Sequence, residues 1–131
     1  RATSILDYGC GKGTLKQALP HLNIREYDPA VAGKDTAPEP ADFVICGDVL
    51  EHIERECLGN VLADLGRLML KIGFLVIDLF PAMKHLPDGR NAHLILETEA
   101  FWRAAISERM TVVTVQPEGL SKLLIVIKPK G

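Results

Sequence analysis

The chain is expected to fold as an α/β protein on a doubly wound, mostly parallel sheet that closes with an antiparallel C-terminal strand. Three features lead there. Ser4 to Tyr8 is a short, largely apolar run that passes straight into the glycine-rich turn Gly9-Cys10-Gly11-Lys12-Gly13-Thr14, the kind of strand end at which open α/β sheets hold a ligand. From Glu54 to Leu70 apolar residues recur at three and four, and Gly73 to Phe80 is then almost continuously apolar, a helix followed by a strand of the sheet's middle. The last two β-branched runs, Met110 to Val115 and Leu123 to Lys128, are joined by Pro117-Glu118-Gly119, too short a link for a crossover helix.

Each element follows from local chemistry. Thr3 to Tyr8 reads as the first strand, and Leu15 to Leu19 as a short helix stopped by Pro20. Asn23 to Tyr27 is a second strand that ends at Asp28-Pro29, because proline cannot donate to a ladder. Pro29 to Pro40, with Pro38, Gly33 and small residues, is a loop. Asp42 to Cys46 is a third strand that passes through Gly47-Asp48 into a helical segment. In the long helix Leu58, Val61, Leu62, Leu65, Leu68 and Met69 share the buried face. Pro81 to Leu96 is a polar loop with a turn at Pro87-Asp88-Gly89. Thr98 caps a helix from Glu99 to about Arg109, whose Trp102 is expected in the core beside Phe101 and Ile106. The total is about six strands, since the stretch between the second strand and Asp42 has room for a loop but not for another strand and helix.

At 131 residues, 47% apolar and 24% charged, the chain suits one globular domain, residues 1–131. A net charge of −2 supplies no broad basic surface, so nonspecific nucleic-acid binding is not indicated. The apolar runs fall short of the roughly 20 residues a spanning helix needs, and no membrane partner is expected. Cys10, Cys46 and Cys57 form no C-x-x-C pair, which suits a reduced, cytoplasmic setting. The chain opens at Arg1 almost inside its first strand, so segments upstream are expected.

The glycine spacing narrows the ligand. A dinucleotide fingerprint requires G-x-G-x-x-G, whereas Gly9, Gly11 and Gly13 give G-x-G-x-G, and Asp7 at the strand end would repel a pyrophosphate. Both departures disfavour a nicotinamide-dependent oxidoreductase and favour a ligand that carries positive charge and no phosphate. The run Ile5-Leu6-Asp7-Tyr8-Gly9-Cys10-Gly11-Lys12-Gly13 resembles the first motif of class I S-adenosylmethionine-dependent methyltransferases. That resemblance implies a Rossmann-like fold, here trimmed by about one strand-helix unit, and S-adenosyl-L-methionine as cofactor, with S-adenosyl-L-homocysteine as product. It implies that Asp7, Tyr8, Gly9, Cys10 and Gly11 border the methionine portion, with Asp7 near its ammonium group, and that Asp28 accepts ribose hydroxyls. The family's adenine-contacting acidic residue, which follows the missing strand, has no counterpart. Asp42 to His52 resembles the family's fourth-strand motif, which makes Gly47, Asp48 and Val49 the cofactor wall beside the transferred methyl.

His93 and His52 are the candidate catalytic residues. His93 lies in the polar loop with Arg90 and Asn91, where it can act as general base on a substrate hydroxyl while its neighbours grip a phosphate or sugar. If Asp48 opens a helix, Glu51 and His52 project from the same face, and two carboxylates with an imidazole suit a divalent metal. This pattern resembles the metal-binding Glu-x-x-Glu-His of small-RNA 2′-O-methyltransferases and some quinone O-methyltransferases, which add a later histidine; His93 or His85 is in position to supply it. The simpler reading, in which Glu51 merely favours a helix N-terminus, assigns no metal. The expected activity is methyl transfer to oxygen or nitrogen of a small-molecule, saccharide or nucleotide acceptor, with a metal-assisted RNA 2′-O-methyltransferase and a non-catalytic cofactor-binding module as the alternatives.

Overall fold

The computed structural model of the protein describes residues 3–131; Arg1, where the sequence opens, lies outside the described residues. In chain order the elements are β1 (Ile5–Tyr8), α1 (Thr14–Ala18), β2 (Ile24–Tyr27), β3 (Ala41–Gly47), α2 (Leu58–Leu68), β4 (Met69–Asp78), α3 (Glu99–Ser107), β5 (Met110–Glu118) and β6 (Lys122–Pro129). Two 3-10 turns, Leu50–His52 and Arg55–Cys57, lie between β3 and α2. One six-stranded sheet runs in the order β2-β1-β3-β4-β6-β5. Pairing is parallel from β2 through β4, and β6 is antiparallel to both of its neighbours.

This is the expected fold. Chain direction along the sheet reverses between β1 and β3, because β1 leads outward to β2 while β3 leads the other way to β4. Right-handed crossovers then carry α1 and α2 to opposite faces, which is double winding. The carboxyl ends of β1 and β3 part at that reversal and leave the crevice such sheets use for ligands.

The two faces are covered unequally. Leu6, Val44, Cys46, Leu75, Ile77, Ile125 and Ile127 point to one face and are at most 2% exposed. Against them lie Leu58, Leu62, Leu65 and Leu68 of α2 and Trp102 and Ile106 of α3. Helical spacing places each helix's set on one stripe, so a narrow apolar face suffices to close the core. Trp102 is in that core, as expected. The opposite face bears Phe43, Ile45, Phe74, Val76, Leu124 and Val126, all only half-buried. α1 has five residues and buries none of them. The almost continuously apolar run read as a strand of the sheet's middle therefore alternates in exposure along β4.

Several boundaries move for identifiable reasons. The long helix begins at Leu58, not Glu54, because Glu54 is extended and Arg55–Cys57 wind as a 3-10 turn. It ends at Leu68, and Met69 is already extended and paired with Ala41 of β3. Met69 is thus buried as a strand residue, although its spacing matched the helix face. No α-helix opens at Asp48, which adopts the left-handed conformation at φ 57. β5 runs past the expected turn through Pro117, tolerated because β5 is an edge strand. The cap on α3 is as expected: Phe101 N donates to Thr98 Oγ1 at 3.2 Å.

Leu65, 1% exposed between α2 and the sheet, provides a test of this core. Leu65→Ala should lower the unfolding free energy by about 2–5 kcal/mol with an unchanged urea m-value.

Candidate functional site

The turn after β1 is shaped by its backbone. Gly9 N and Cys10 N both donate to Tyr27 O, at 2.7 and 3.1 Å, which lashes the turn to the end of β2. Gly9 has φ 85, and a Cβ there would stand 2.4 Å from Val49 Cγ2. Any side chain would be excluded by conformation and by a stiff β-branched neighbour. Gly11, at φ 54, differs: no atom lies within 4 Å of where its Cβ would be, so its backbone faces open space.

Asp28 closes the turn. Its Oδ2 accepts from Gly11 N and its Oδ1 from Ala30 N, each at 2.9 Å. A carboxylate offers about four lone-pair sites, so two remain for a ligand. Sequence reasoning offered Asp28 as a ligand group and did not see its role as the clasp of the glycine turn. Asp7 is 6% exposed. Burial, with Glu26 and Asp28 nearby, pushes its carboxyl up to about 6, and Lys34, ion-paired to Glu26 at 3.2 Å, works the other way.

Tyr8 borders the crevice but its hydroxyl is engaged below it, donating to Asp64 Oδ2 at 2.9 Å. Burial and that carboxylate push the phenol up. Cys10 is buried, its Sγ 3.8 Å from Gly11 O. Gly47 ends β3, and Asp48 N then donates to Val76 O at 2.9 Å while its side chain, exposed, accepts from Lys122 Nζ at 2.6 Å. Tyr8, Gly9, Asp28, Pro29, Asp48, Val49 and His52 thus meet around a cleft of about 380 Å³.

Beside it the structure gathers Glu51, His52 and His93. One nitrogen of each ring and a Glu51 carboxylate oxygen all lie within 4.8 Å of one another, and the two rings pack edge to face at 4.7 Å. His52 Nδ1 lies 3.0 Å from Ala92 O, and His93 Nδ1 2.6 Å from Phe80 O. A carbonyl only accepts, so both Nδ1 atoms donate and the lone pair of each neutral ring is on Nε2. Glu51 is fully buried. Its Oε2 accepts from Asp78 N at 3.2 Å, whereas Oε1 has no partner among the described residues. Burial pushes this carboxyl up to about 7 and lowers the His52 pKa, the latter with help from His93.

His93 is delivered by the loop after β4, which is firmly tied. Asn91 Oδ1 accepts from Ala82 N and His93 N, and its Nδ2 donates to Ala82 O, all at 2.9 Å. Arg90 is ion-paired to Glu54 and Asp88, each at 2.8 Å. Both residues, expected from sequence to grip a substrate, are thus engaged by groups of the protein itself while they line a depression beside His93. Asp48, bound to Lys122, does not share a face with Glu51 and His52, since a left-handed residue followed by a 3-10 turn replaces the expected helix. His85 is exposed and outside the cluster. Glu54, Arg55, Arg90, Asn91 and His93 line a second depression of about 350 Å³, with the histidine pair between it and the cleft.

No protein-family model and no curated protein matches the sequence. Among solved structures the chain is similar to 1,6-didemethyltoxoflavin-N1-methyltransferase of Burkholderia thailandensis, solved with 1,6-didemethyltoxoflavin and S-adenosylhomocysteine: 19% identity, TM-score 0.69, covering 100% of this chain and 72% of that one. It is also similar to magnesium protoporphyrin IX methyltransferase of Synechocystis, solved with S-adenosylhomocysteine, at 18% identity and TM-score 0.67, covering 98% and 75%. A third, N-methyltransferase NodS of Bradyrhizobium japonicum, also with S-adenosylhomocysteine, has 17% identity and TM-score 0.65, covering 99% and 80%. The fold is that of class I S-adenosylmethionine-dependent methyltransferases.

Close approach of Gly9 to Val49 makes a measurable demand. Gly9→Ala should cost on the order of 1–3 kcal/mol in chemical denaturation. Adding Val49→Ala should recover the steric part, so the two losses should not sum in a double-mutant cycle.

Proposed function

We propose that the chain is an S-adenosylmethionine-dependent methyltransferase that methylates an oxygen or nitrogen of a small-molecule, saccharide or nucleotide acceptor. One observation carries this reading: the turn after β1 leaves open space at Gly11, whose N–H Asp28 accepts, and follows the buried carboxyl of Asp7, beside a cleft lined by Gly9, Asp28 and Val49. That pairing suits a ligand with an ammonium group at one end and ribose hydroxyls at the other, and opposes a pyrophosphate. S-adenosylhomocysteine in the neighbouring structures supports it.

The residues present fit such a cofactor. Asp28 would hold the ribose through its two unused lone-pair sites, with the Gly9 backbone on one side of the cleft and Asp48 and Val49 on the other, and Asp7, buried at the end of β1, would take the ammonium. Bound there, S-adenosylmethionine supplies an electrophilic methyl on a sulfonium. The protein's own contribution is to hold the acceptor in line at about 3–3.5 Å, in a site that excludes water. His52 borders the cleft and His93 the second depression, and with Nδ1 of each engaged by a main-chain carbonyl, Nε2 is the ring atom left to act on an acceptor hydroxyl. Charged groups in that depression, Glu54, Arg55 and Arg90, favour a polar acceptor.

Calorimetric titration should show S-adenosylhomocysteine binding and no binding of NAD; the reverse result would remove the methyltransferase reading. Asp28→Ala should weaken binding about 10–100-fold, the scale of one or two charge-assisted hydrogen bonds. Binding should also depend on pH. Asp7 is ionised only above about 6 in the free protein, and an ammonium ligand needs it ionised, so binding releases a proton below that pH. Affinity should therefore fall as pH drops below 6, by up to about tenfold per unit, and the slope should flatten in Asp7→Asn. His93→Ala should lower turnover on a hydroxyl acceptor by about 10²–10⁴-fold without changing cofactor affinity.

A further inference from the structure

We infer that the methyl acceptor is amphipathic: its reacting polar end enters the depression beside His93, and an apolar ring or chain lies on a rim formed by Phe80, Met83 and Leu120. The inference rests on the methyl-transfer reading for the identity of the occupant and adds its chemical class. Met83 is fully exposed and Leu120 90% exposed, the two most exposed large apolar side chains among the described residues, and Phe80 is 50% exposed. All three stand at the edge of the sheet where β4 ends and β6 begins, on the segment that leaves β4 and the turn that enters β6. Leu79 N donates to Ser121 O at 2.7 Å, which bonds those two segments to each other. Apolar residues exposed singly are ordinary, whereas a group of them beside a polar site marks a surface for a ligand.

The backbone under this rim is fixed. Phe80 N donates to Asp78 Oδ1 at 2.9 Å, and Phe80 O accepts from His93 Nδ1 at 2.6 Å. Met83 lies between Ala82, bonded at both backbone groups to the Asn91 side chain, and Lys84, whose O accepts from Ala92 N at 3.0 Å. The exposed apolar side chains are thus displayed by the same hydrogen-bonded unit that carries His93. Two kinds of surface meet at that histidine. Glu54, Arg55 and Arg90 line the depression with charge, and Phe80, whose carbonyl holds the His93 ring, begins the apolar rim. An acceptor polar throughout would leave the rim in water, and one wholly apolar would strip the charged groups of solvent without replacing it. A molecule with both characters satisfies both surfaces, and display on ordered backbone lowers the entropic cost of holding it.

The probes are 2-naphthol and phenol, which share a hydroxyl and differ by one fused ring, titrated by calorimetry into the full chain saturated with S-adenosylhomocysteine. 2-Naphthol should bind one-to-one and about tenfold more tightly than phenol, the gain expected for burying the extra ring. Combining Phe80→Ser, Met83→Ser and Leu120→Ser should remove that preference, while Leu70→Ser with Val113→Ser, at exposed apolar positions elsewhere on the sheet, should retain it. With any acceptor that turns over, the triple variant should raise KM about tenfold and hold kcat within about twofold. S-adenosylhomocysteine affinity reports separately on the fold of the triple variant and on the methyltransferase reading, and a wild-type chain that does not bind it defeats that reading and the acceptor assignment together. In a chain that does bind it, absence of 2-naphthol binding at about 1 mM, or a preference that survives in the triple variant, would overturn the inference alone. So would sedimentation with phosphatidylcholine vesicles that is lost in the triple variant, which assigns the rim to a lipid surface, or a dimer that the same substitutions dissociate, which assigns it to a second copy.

Discussion

Packing of Gly9 against Val49 is the constraint on which the crevice depends. The turn after β1 and the exit of β3 approach so closely that a single methyl at Gly9 would overlap Val49 Cγ2. Neither segment can move independently: the turn is lashed to Tyr27 O at the end of β2, and Asp48 N is held by Val76 O of β4. Four parallel strand ends are thereby fixed around one opening. The open face of Gly11 and the carboxylates of Asp7 and Asp28 owe their relative position to this contact, and preorganised polar groups are worth most where they need not rearrange.

A second set of ties acts on the acceptor side. Asn91 satisfies Ala82 at both its backbone groups and steadies His93 N, so a loop rich in polar residues is folded as tightly as a strand connection. Ile95 N adds a bond to Glu51 O, joining the loop to the 3-10 turn that bears His52. The histidine pair thus results from two locally ordered segments meeting across the sheet edge.

What could be read in advance was whatever depends on neighbours in the chain. Thr98 caps α3, Pro20 and Asp28-Pro29 end their elements, and the spacing of Leu58, Leu62, Leu65 and Leu68 defines a helix face. Failures occurred where local pattern and distant pairing disagree. Met69 fits a helical stripe yet pairs with Ala41 as a strand, and Asp48 lies at a helix-like start yet bends left-handed to reach Lys122. The polarity of Arg90 and Asn91 is visible in sequence, whereas their partners, Glu54 and Ala82, are not. Of the residues that line the cleft, Tyr8, Gly9, Asp28, Asp48, Val49 and His52 were legible as candidates, while the buried, half-satisfied state of Glu51's carboxylate beside it was not.

By itself the amino-acid order determined the strand–turn–strand logic of the crevice, its glycines and carboxylates, and the six-strand count, because backbone freedom, proline stops and hydrophobic period act over a few residues. Which of the four chemically suited groups, Asp48, Glu51, His52 and His93, converge was decided only in three dimensions. One ion pair with Lys122 withdraws Asp48, and two carbonyls orient the imidazoles, Ala92 O forty residues from His52 and Phe80 O thirteen from His93. Such contacts depend on where the sheet brings distant segments, a distance that no local spacing encodes.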